Sequence, residues 1–188
     1  EEHFETQNYE YYAGSITYNV NQKEDIGLLA HLDVVPAGDG WTVTEPYNPV
    51  YKDGFIFGRG CSDNKSGAIG SFYIMKALQA NNVKTNHNIK LLLGCNEEVG
   101  MADMEYFVQH YPTPKFTIVP DAGFPGCCGE FGRIRYTLTS DNTLSDDFVS
   151  LNAGSAFNII PNKATAVVKK GVFNLDLLPN DIETEETH

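Results

Sequence analysis

The sequence has few basic residues: 13 Lys and Arg stand against 25 Asp and Glu, and the formal net charge is −12. A field of that sign repels phosphate backbones, so we expect no nucleic-acid partner. Long hydrophobic runs are also lacking. No run reaches the roughly 20 residues that a membrane-spanning helix needs, and the apolar core of a signal peptide is not seen. We therefore expect no membrane partner.

Cysteine is scarce as well, and its four copies include no CxxC pair. Adjacent cysteines such as Cys127 and Cys128 rarely bridge each other, so the pattern predicts reduced thiols and a cytoplasmic protein rather than a disulfide scaffold. Because the chain begins at Glu1 and not at a methionine, we expect it to be a piece of a longer protein.

The sequence does have the composition of a globular domain, with 188 residues of which 41% are hydrophobic and 12% aromatic. Short apolar runs predict buried strands at 26–30, 88–95 and 116–119, and helical spacing predicts helices at 68–80 and 102–110. This alternation indicates an α/β fold with a mixed, largely parallel sheet and helices on both faces.

Two further patterns predict β structure outside that alternation. Asp53-Gly54 between two apolar pairs is a hairpin signal. After residue 131 the segments 134–139, 148–151 and 164–168 resemble strands without intervening helices, which predicts a C-terminal β segment.

The motif His31-Leu32-Asp33 directly follows the predicted strand 26–30. Ligands of open α/β sheets bind at the carboxyl ends of strands. Residues i and i+2 of a strand point to the same side, so Asp33 can hold the imidazole of His31 in one tautomer, as a partner of a metal-binding histidine does. The alternative is an ordinary hydrogen-bonded histidine at a strand end.

Three more acidic motifs follow strands or turns, and each has a structural alternative. Asp63 lies in a glycine-containing loop before a helix, where an aspartate is also a preferred N-cap. Glu97 and Glu98 repel each other unless a cation or proton intervenes, so one could bind metal while the other moves protons; a solvated acidic turn is the alternative. Asp121 precedes a Gly/Pro-rich stretch and could be a turn former.

Taken together, these motifs bring one histidine and several carboxylates to separate strand or hairpin ends. Histidine with carboxylate oxygens suits Zn²⁺, and also Mn²⁺ or Co²⁺. A carboxylate that bridges two such ions would create a two-metal hydrolytic site.

With all four motifs in view, the chain resembles the zinc-dependent metallopeptidases related to aminoacylases, acetylornithine deacetylase and carnosinase-type dipeptidases. The residues that carry the likeness are His31-Leu32-Asp33-Val34-Val35-Pro36 with Gly38 and Trp41, Gly58-Arg59-Gly60 with Asp63, Lys65 and Gly67, Glu97-Glu98 with Gly100, and Asp121 with Phe124-Pro125. Within that family, the stretch 100–104 is most similar to dipeptidases of the PepV type.

The resemblance implies a role for each matched residue. Two divalent ions, zinc in the first place, would be held by His31 with Asp121 on one side and Glu98 on the other. Asp63 would bridge the two ions. The peptide bond between Asp63 and Asn64 would be cis and would aim the carboxylate of Asp63 at them. Asp33 would orient His31, Glu97 would be the general base, and Asn158 would contact substrate.

The resemblance also implies an activity and a domain organisation. We expect a dipeptidase acting on small peptides, with an N-acyl amino acid deacylase or a non-catalytic metal-binding fragment as alternatives. The catalytic domain would occupy 1–140, a β segment leading to a lid domain 141–170, and an acidic tail 171–188. The family has a further histidine ligand near the end of a longer chain, so we expect this chain alone to be inactive. We also expect it to favour self-association as a homo-oligomer.

Overall fold

The computed structural model describes residues 4–19, 21–123, 125–132, 134, 136–139, 141, 145–154, 160–161, 163–174, 177–178 and 182–185. The chain forms two compact units, Glu1–Glu130 and Phe131–His188. Within the described residues, no helix is both long enough and apolar enough to cross a membrane. All four cysteines are free thiols.

The first unit is built on a five-stranded mixed sheet. In chain order its strands are β1 (Glu5–Tyr9), β2 (Ala13–Tyr18), β3 (Asp25–His31), β6 (Asn88–Gly94) and β7 (Phe116–Ile118), and in space they run β1-β2-β6-β3-β7. The strands β6, β3 and β7 are mutually parallel, whereas β1 and β2 add antiparallel pairs at one edge. The carboxyl ends of three neighbouring strands therefore meet at one edge of the sheet.

One helix covers each face of this sheet. Helix α1 (Lys65–Ala80) buries Met75 against Leu28 and Leu91, and helix α2 (Ala102–His110) buries Phe107 against Leu92. Successive side chains of a strand point to opposite faces, so the apolar run of β6 supplies both cores. The predicted α/β class, with a mixed sheet and helices on both faces, is confirmed.

The predicted hairpin is present as β4 (Val50–Lys52) and β5 (Phe55–Phe57), which pair antiparallel. Its two central residues, Asp53 and Gly54, have φ values of 52° and 86°. Positive φ at both positions is the requirement of a type I′ turn, whose twist matches that of the flanking strands.

The second unit contains the antiparallel pair β8 (Phe148–Ala153) and β9 (Ala164–Val168), where strands were predicted. The strand predicted at 134–139 is wrong for its described residues, 134 and 136–139, which have no regular structure. Their alternating apolar side chains, Ile134, Tyr136 and Leu138, are exposed. Alternation alone does not make a strand, because a strand also needs a hydrogen-bonded neighbour.

Candidate metal centre and active site

The four sequence motifs meet at the carboxyl edge of the parallel strands. His31 is the last residue of β3, and Glu97 and Glu98 lie in a 3₁₀ turn (Glu97–Val99) just after β6. Asp121 follows β7, and Asp63 lies in the turn before α1. This is the edge at which open α/β sheets bind ligands.

The imidazole of His31 is at the centre of the site and only 4% exposed. Its Nδ1 donates to the backbone carbonyl of Asp33 at 3.0 Å, since a carbonyl can only accept. That bond turns Nε2 towards the carboxylates: Nε2 is 2.9 Å from Asp63 Oδ1, 3.6 Å from Asp121 Oδ2 and 3.9 Å from Glu97 Oε2. The 2.9 Å contact to Asp63 Oδ1 is a hydrogen bond that Nε2–H donates, because a carboxylate oxygen only accepts. The neutral ring, with its proton on Nδ1, would instead present the lone pair of Nε2 to a bound metal ion.

The carboxylate of Asp33 connects two motifs. Its Oδ1 lies 3.4 Å from His31 Nδ1, so the residue predicted to orient the imidazole does contact it, though the shorter contact is made by its backbone carbonyl. The same carboxylate accepts the backbone N–H of Glu97 at 3.2 Å and that of Glu98 at 3.0 Å. Asp33 thus connects the histidine to the main chain that carries both glutamates.

The side chains form two groups whose geometry suits a metal ion. His31, Asp63 and Asp121 form one group, and His31, Glu97 and Glu98 form the other; within each group the possible ligand atoms lie within 4.8 Å of one another. A histidine nitrogen with carboxylate oxygens is a donor set that zinc accepts. The residues present therefore fit a divalent metal centre.

The electrostatics of the site shift the pKa of two groups upward. Burial raises the pKa of Glu97, the charges of Glu98, Asp121 and Asp33 raise it further, and His31 only partly opposes them. For His31, burial lowers the pKa, but the Asp33 carbonyl, the Asp63 carboxylate and the charges of Asp121 and Asp33 outweigh burial and raise it. A carboxylate with a raised pKa is a better proton acceptor near neutral pH.

Asp63 is held by the loop before α1. The N-cap of α1 is Asn64 and not Asp63, and no side chain caps the helix, so the alternative role of Asp63 as a helix cap is not observed. The peptide bond between Asp63 and Asn64 is cis, as the resemblance implies. Lys65 Nζ donates to the carbonyl of Leu32 at 2.8 Å and so ties this loop to the His31 motif.

The first two motifs also share a contact that the sequence did not reveal. Trp41 Nε1 and a guanidinium nitrogen of Arg59 both donate to the carbonyl of Ala37 at 2.9 Å. The guanidinium carbon of Arg59 also lies 5.4 Å from the centre of the Trp41 ring, within the range of a cation–π contact. Trp41 and Arg59 thus bind the same carbonyl and contact each other, which connects the first motif to the second.

The predicted substrate contact and the further histidine ligand are not among the described residues of the site. Asn158, the predicted substrate contact, lies outside the described residues, as does Phe124. Within the described chain, His31 is the histidine that the metal-compatible groups share; His87 instead lies 3.4 Å from Glu24, and His110 stacks on Tyr106. The further histidine ligand that the resemblance implies is not supplied by either.

Comparisons with known proteins find peptidases among the relatives of this chain. The Beta-Ala-Xaa dipeptidase of Lactobacillus delbrueckii subsp. lactis is 34% identical over 169 residues, which are 88% of this chain and 36% of that protein. Human carnosine dipeptidase 1 is 26% identical with a TM-score of 0.51, over 58% of this chain and 25% of that one. An M20 family metallo-carboxypeptidase from Sulfolobus solfataricus is 28% identical with a TM-score of 0.52, over 59% of this chain and 26% of that one.

The chain spans about a third of the length of the curated relatives that it matches. A family model described as Peptidase family M20/M25/M40 matches residues 27–158. The resemblance inferred from the four motifs is confirmed, and since this match covers more than half of the sequence, the chain belongs to peptidase family M20/M25/M40.

Proposed function

We propose that this protein is a metal-dependent dipeptidase. The observation that carries the proposal is the convergence of the motif carboxylates on Nε2 of one buried histidine at the carboxyl edge of the sheet. The name of the Lactobacillus relative supports dipeptides as the substrate class. The free cysteines support a cytoplasmic location.

We propose two metal ions, zinc in the first place, with manganese or cobalt as alternatives. His31 and Asp121 would hold one ion, Glu98 would hold the other, and Asp63 would lie between them. The two distances from Nε2, 2.9 Å to Asp63 and 3.6 Å to Asp121, support the first set. Bound divalent ions would polarise the scissile carbonyl and lower the pKa of water at the site.

The proton transfers fall to Glu97. Its carboxylate would accept the proton of the attacking water and deliver it to the nitrogen of the leaving amine. The raised pKa of Glu97 suits a group that must both accept and release a proton. Asp33 would position both groups for this step. Its carboxylate accepts the backbone N–H of Glu97, and its backbone carbonyl accepts the Nδ1–H of His31.

The decisive experiment is the variant pair Glu97→Gln and Glu97→Ala in the protein at its natural length. We expect turnover of dipeptides to be lost while metal content stays close to that of the wild type, because a base contacts the water and not the ion. Glu105→Gln is the matched control, since Glu105 is an exposed carboxylate on α2 outside the site. Loss of metal from Glu97→Ala would reverse the roles of Glu97 and Glu98, and wild-type turnover would refute the proposal.

A comparison of substrates separates the dipeptidase from its nearest alternative. An N-acyl amino acid deacylase breaks the same kind of amide bond, so the metal and the base would be shared. Parallel assays with dipeptides and with N-acetylated amino acids therefore decide between them. We expect the dipeptides to be turned over with the higher kcat/KM.

A further inference from the structure

The segment 95–98, which delivers both glutamates to the site, presents four consecutive backbone N–H groups to two carboxylates. The first two, from Cys95 and Asn96, donate to Asp103 Oδ2 at 2.5 Å and 3.0 Å. The next two, from Glu97 and Glu98, donate to the two oxygens of Asp33. The segment is therefore held at both ends, once by a residue of the His31 motif and once by Asp103.

Asp103 is far more buried than a surface aspartate, at 2% exposed. Its Oδ1 accepts the N–H of Met104 at 2.7 Å, so main-chain N–H groups donate all three of the hydrogen bonds described here for this carboxylate. Burying an ionised carboxylate is costly unless it is hydrogen-bonded, and its place in the first turn of α2 adds the favourable end of the helix dipole. The side chain is thus fixed from two elements at once.

The main chain at the end of β6 lies directly against the carboxylate of Asp103. A Cβ atom at Gly94 would lie 2.6 Å from Asp103 Oδ2, and Gly94 is the β6 residue that pairs with His31. The carbonyl of Gly94 also accepts the N–H of Leu32 at 2.9 Å. Asp103 therefore contacts the main chain at the level of the histidine, at the point where β6 ends and the glutamate segment begins.

We propose that Asp103 is a positioning residue for Glu97 and Glu98, an inference that rests on the proposed function. By holding the amides of Cys95 and Asn96 it sets where β6 ends, and so how far the two glutamates reach into the site. Glu97 Oε2 lies 3.9 Å from His31 Nε2, a separation that a small slip of the segment would change. Misplacing a catalytic group by 1 Å can cost about 100-fold in rate.

The test is Asp103→Asn in the protein at its natural length, loaded with zinc. Asparagine has nearly the same shape but only one oxygen, whereas both oxygens of Asp103 accept. We expect kcat for a dipeptide to fall about 10–100-fold, the effect typical of groups that orient site residues, with a small change in KM. Hydrogen exchange of the Cys95 and Asn96 amides should accelerate in the same variant.

Two controls separate positioning from a general loss of stability or charge. Glu105→Gln removes one negative charge from the same turn of α2, and Phe107→Leu weakens the core beneath the same helix. We expect both to keep the wild-type kcat, although Phe107→Leu should lower the Tm. Gly94→Ala keeps the aspartate at position 103, but the added Cβ atom would displace its Oδ2. We therefore expect Gly94→Ala to reproduce the loss of kcat.

The outcomes are distinct from failure of the proposed function. If Glu97→Ala is inactive while Asp103→Asn and Gly94→Ala both turn over at the wild-type kcat, the positioning role is wrong and the dipeptidase proposal stands. The positioning role is also wrong if Phe107→Leu and Asp103→Asn have the same Tm and lose the same fraction of kcat. If Asp103→Asn does not accumulate as folded protein, Gly94→Ala decides alone.

Discussion

Replacing Asp33 with alanine would remove the acceptor of two backbone N–H groups and a contact to the metal-site histidine. The N–H groups of Glu97 and Glu98 lie 3.2 Å and 3.0 Å from its two oxygens, and His31 Nδ1 lies 3.4 Å from one of them. The backbone carbonyl that holds Nδ1 at 3.0 Å survives the substitution. We therefore expect Asp33→Ala to weaken the site without abolishing it.

The magnitude follows from those contacts. An N–H group left without an acceptor in a buried position costs about 1–3 kcal/mol. The side chain of Asp33 is 18% exposed, so water can replace part of what is lost. Groups that orient metal ligands typically contribute about 10–100-fold in affinity or activity, or about 1.4–2.7 kcal/mol. We expect zinc affinity and kcat each to decrease by about 10–100-fold.

The assay is a zinc titration together with dipeptide turnover, on the protein at its natural length. Asp25→Asn is the control, because Asp25 lies at the opposite end of β3, bound by Lys90 and Asn88 and away from the site. It should change stability and leave zinc affinity alone. Wild-type zinc affinity and kcat in Asp33→Ala would refute the reasoning, because neither the histidine nor the glutamates would then depend on that carboxylate.

Two further outcomes are expected. Although burial raises the pKa of Asp25, the hydrogen bonds from Lys90 and Asn88 and the charge of Lys90 outweigh it and lower the pKa. The stabilising effect of the ionised Asp25 is therefore present above the unfolded-state pKa of about 3.9 and is lost as pH falls through the lower folded-state pKa. The measurement is the difference in urea midpoint between wild type and Asp25→Asn. A difference that stays constant from pH 7 to pH 3 would contradict this expectation. The 188-residue chain produced alone should bind zinc weakly and show no dipeptidase activity, because its described metal-compatible groups share one histidine; hydrolysis that a chelator abolishes would show that another ligand completes the site.

The central elements could be predicted because their patterns are local. Helix α2 begins and ends where its spacing indicated, and β3 and β6 differ from the predicted strands by a residue at some ends. Strand β1 was missed, since its sequence ETQNY is polar and four of its five residues are exposed at the sheet edge. What such a strand gains comes from its backbone pairing with β2, which no local pattern reports.

The contacts that organise the site could not be predicted for the same reason. Asp33 and the amides of Glu97 and Glu98 are more than 60 residues apart in sequence, so only the parallel pairing of β3 with β6 brings them together. Asp103 lies in the stretch 100–104 that contributes to the resemblance, but no role followed for it from the sequence. Its burial is the signal that distinguishes it, and burial is not written in the local sequence.

The pairing of carboxylates with main-chain donors also bears on the number of metal ions. The charge of Asp33 is met by two backbone N–H groups, and that of Asp103 by three, so neither needs a cation. Asp63, Asp121, Glu97 and Glu98 remain, and they gather around an imidazole that is neutral when it binds a metal through Nε2. One divalent ion would leave half of that negative charge uncompensated, whereas two would balance it. This charge balance supports the proposal of two ions over one.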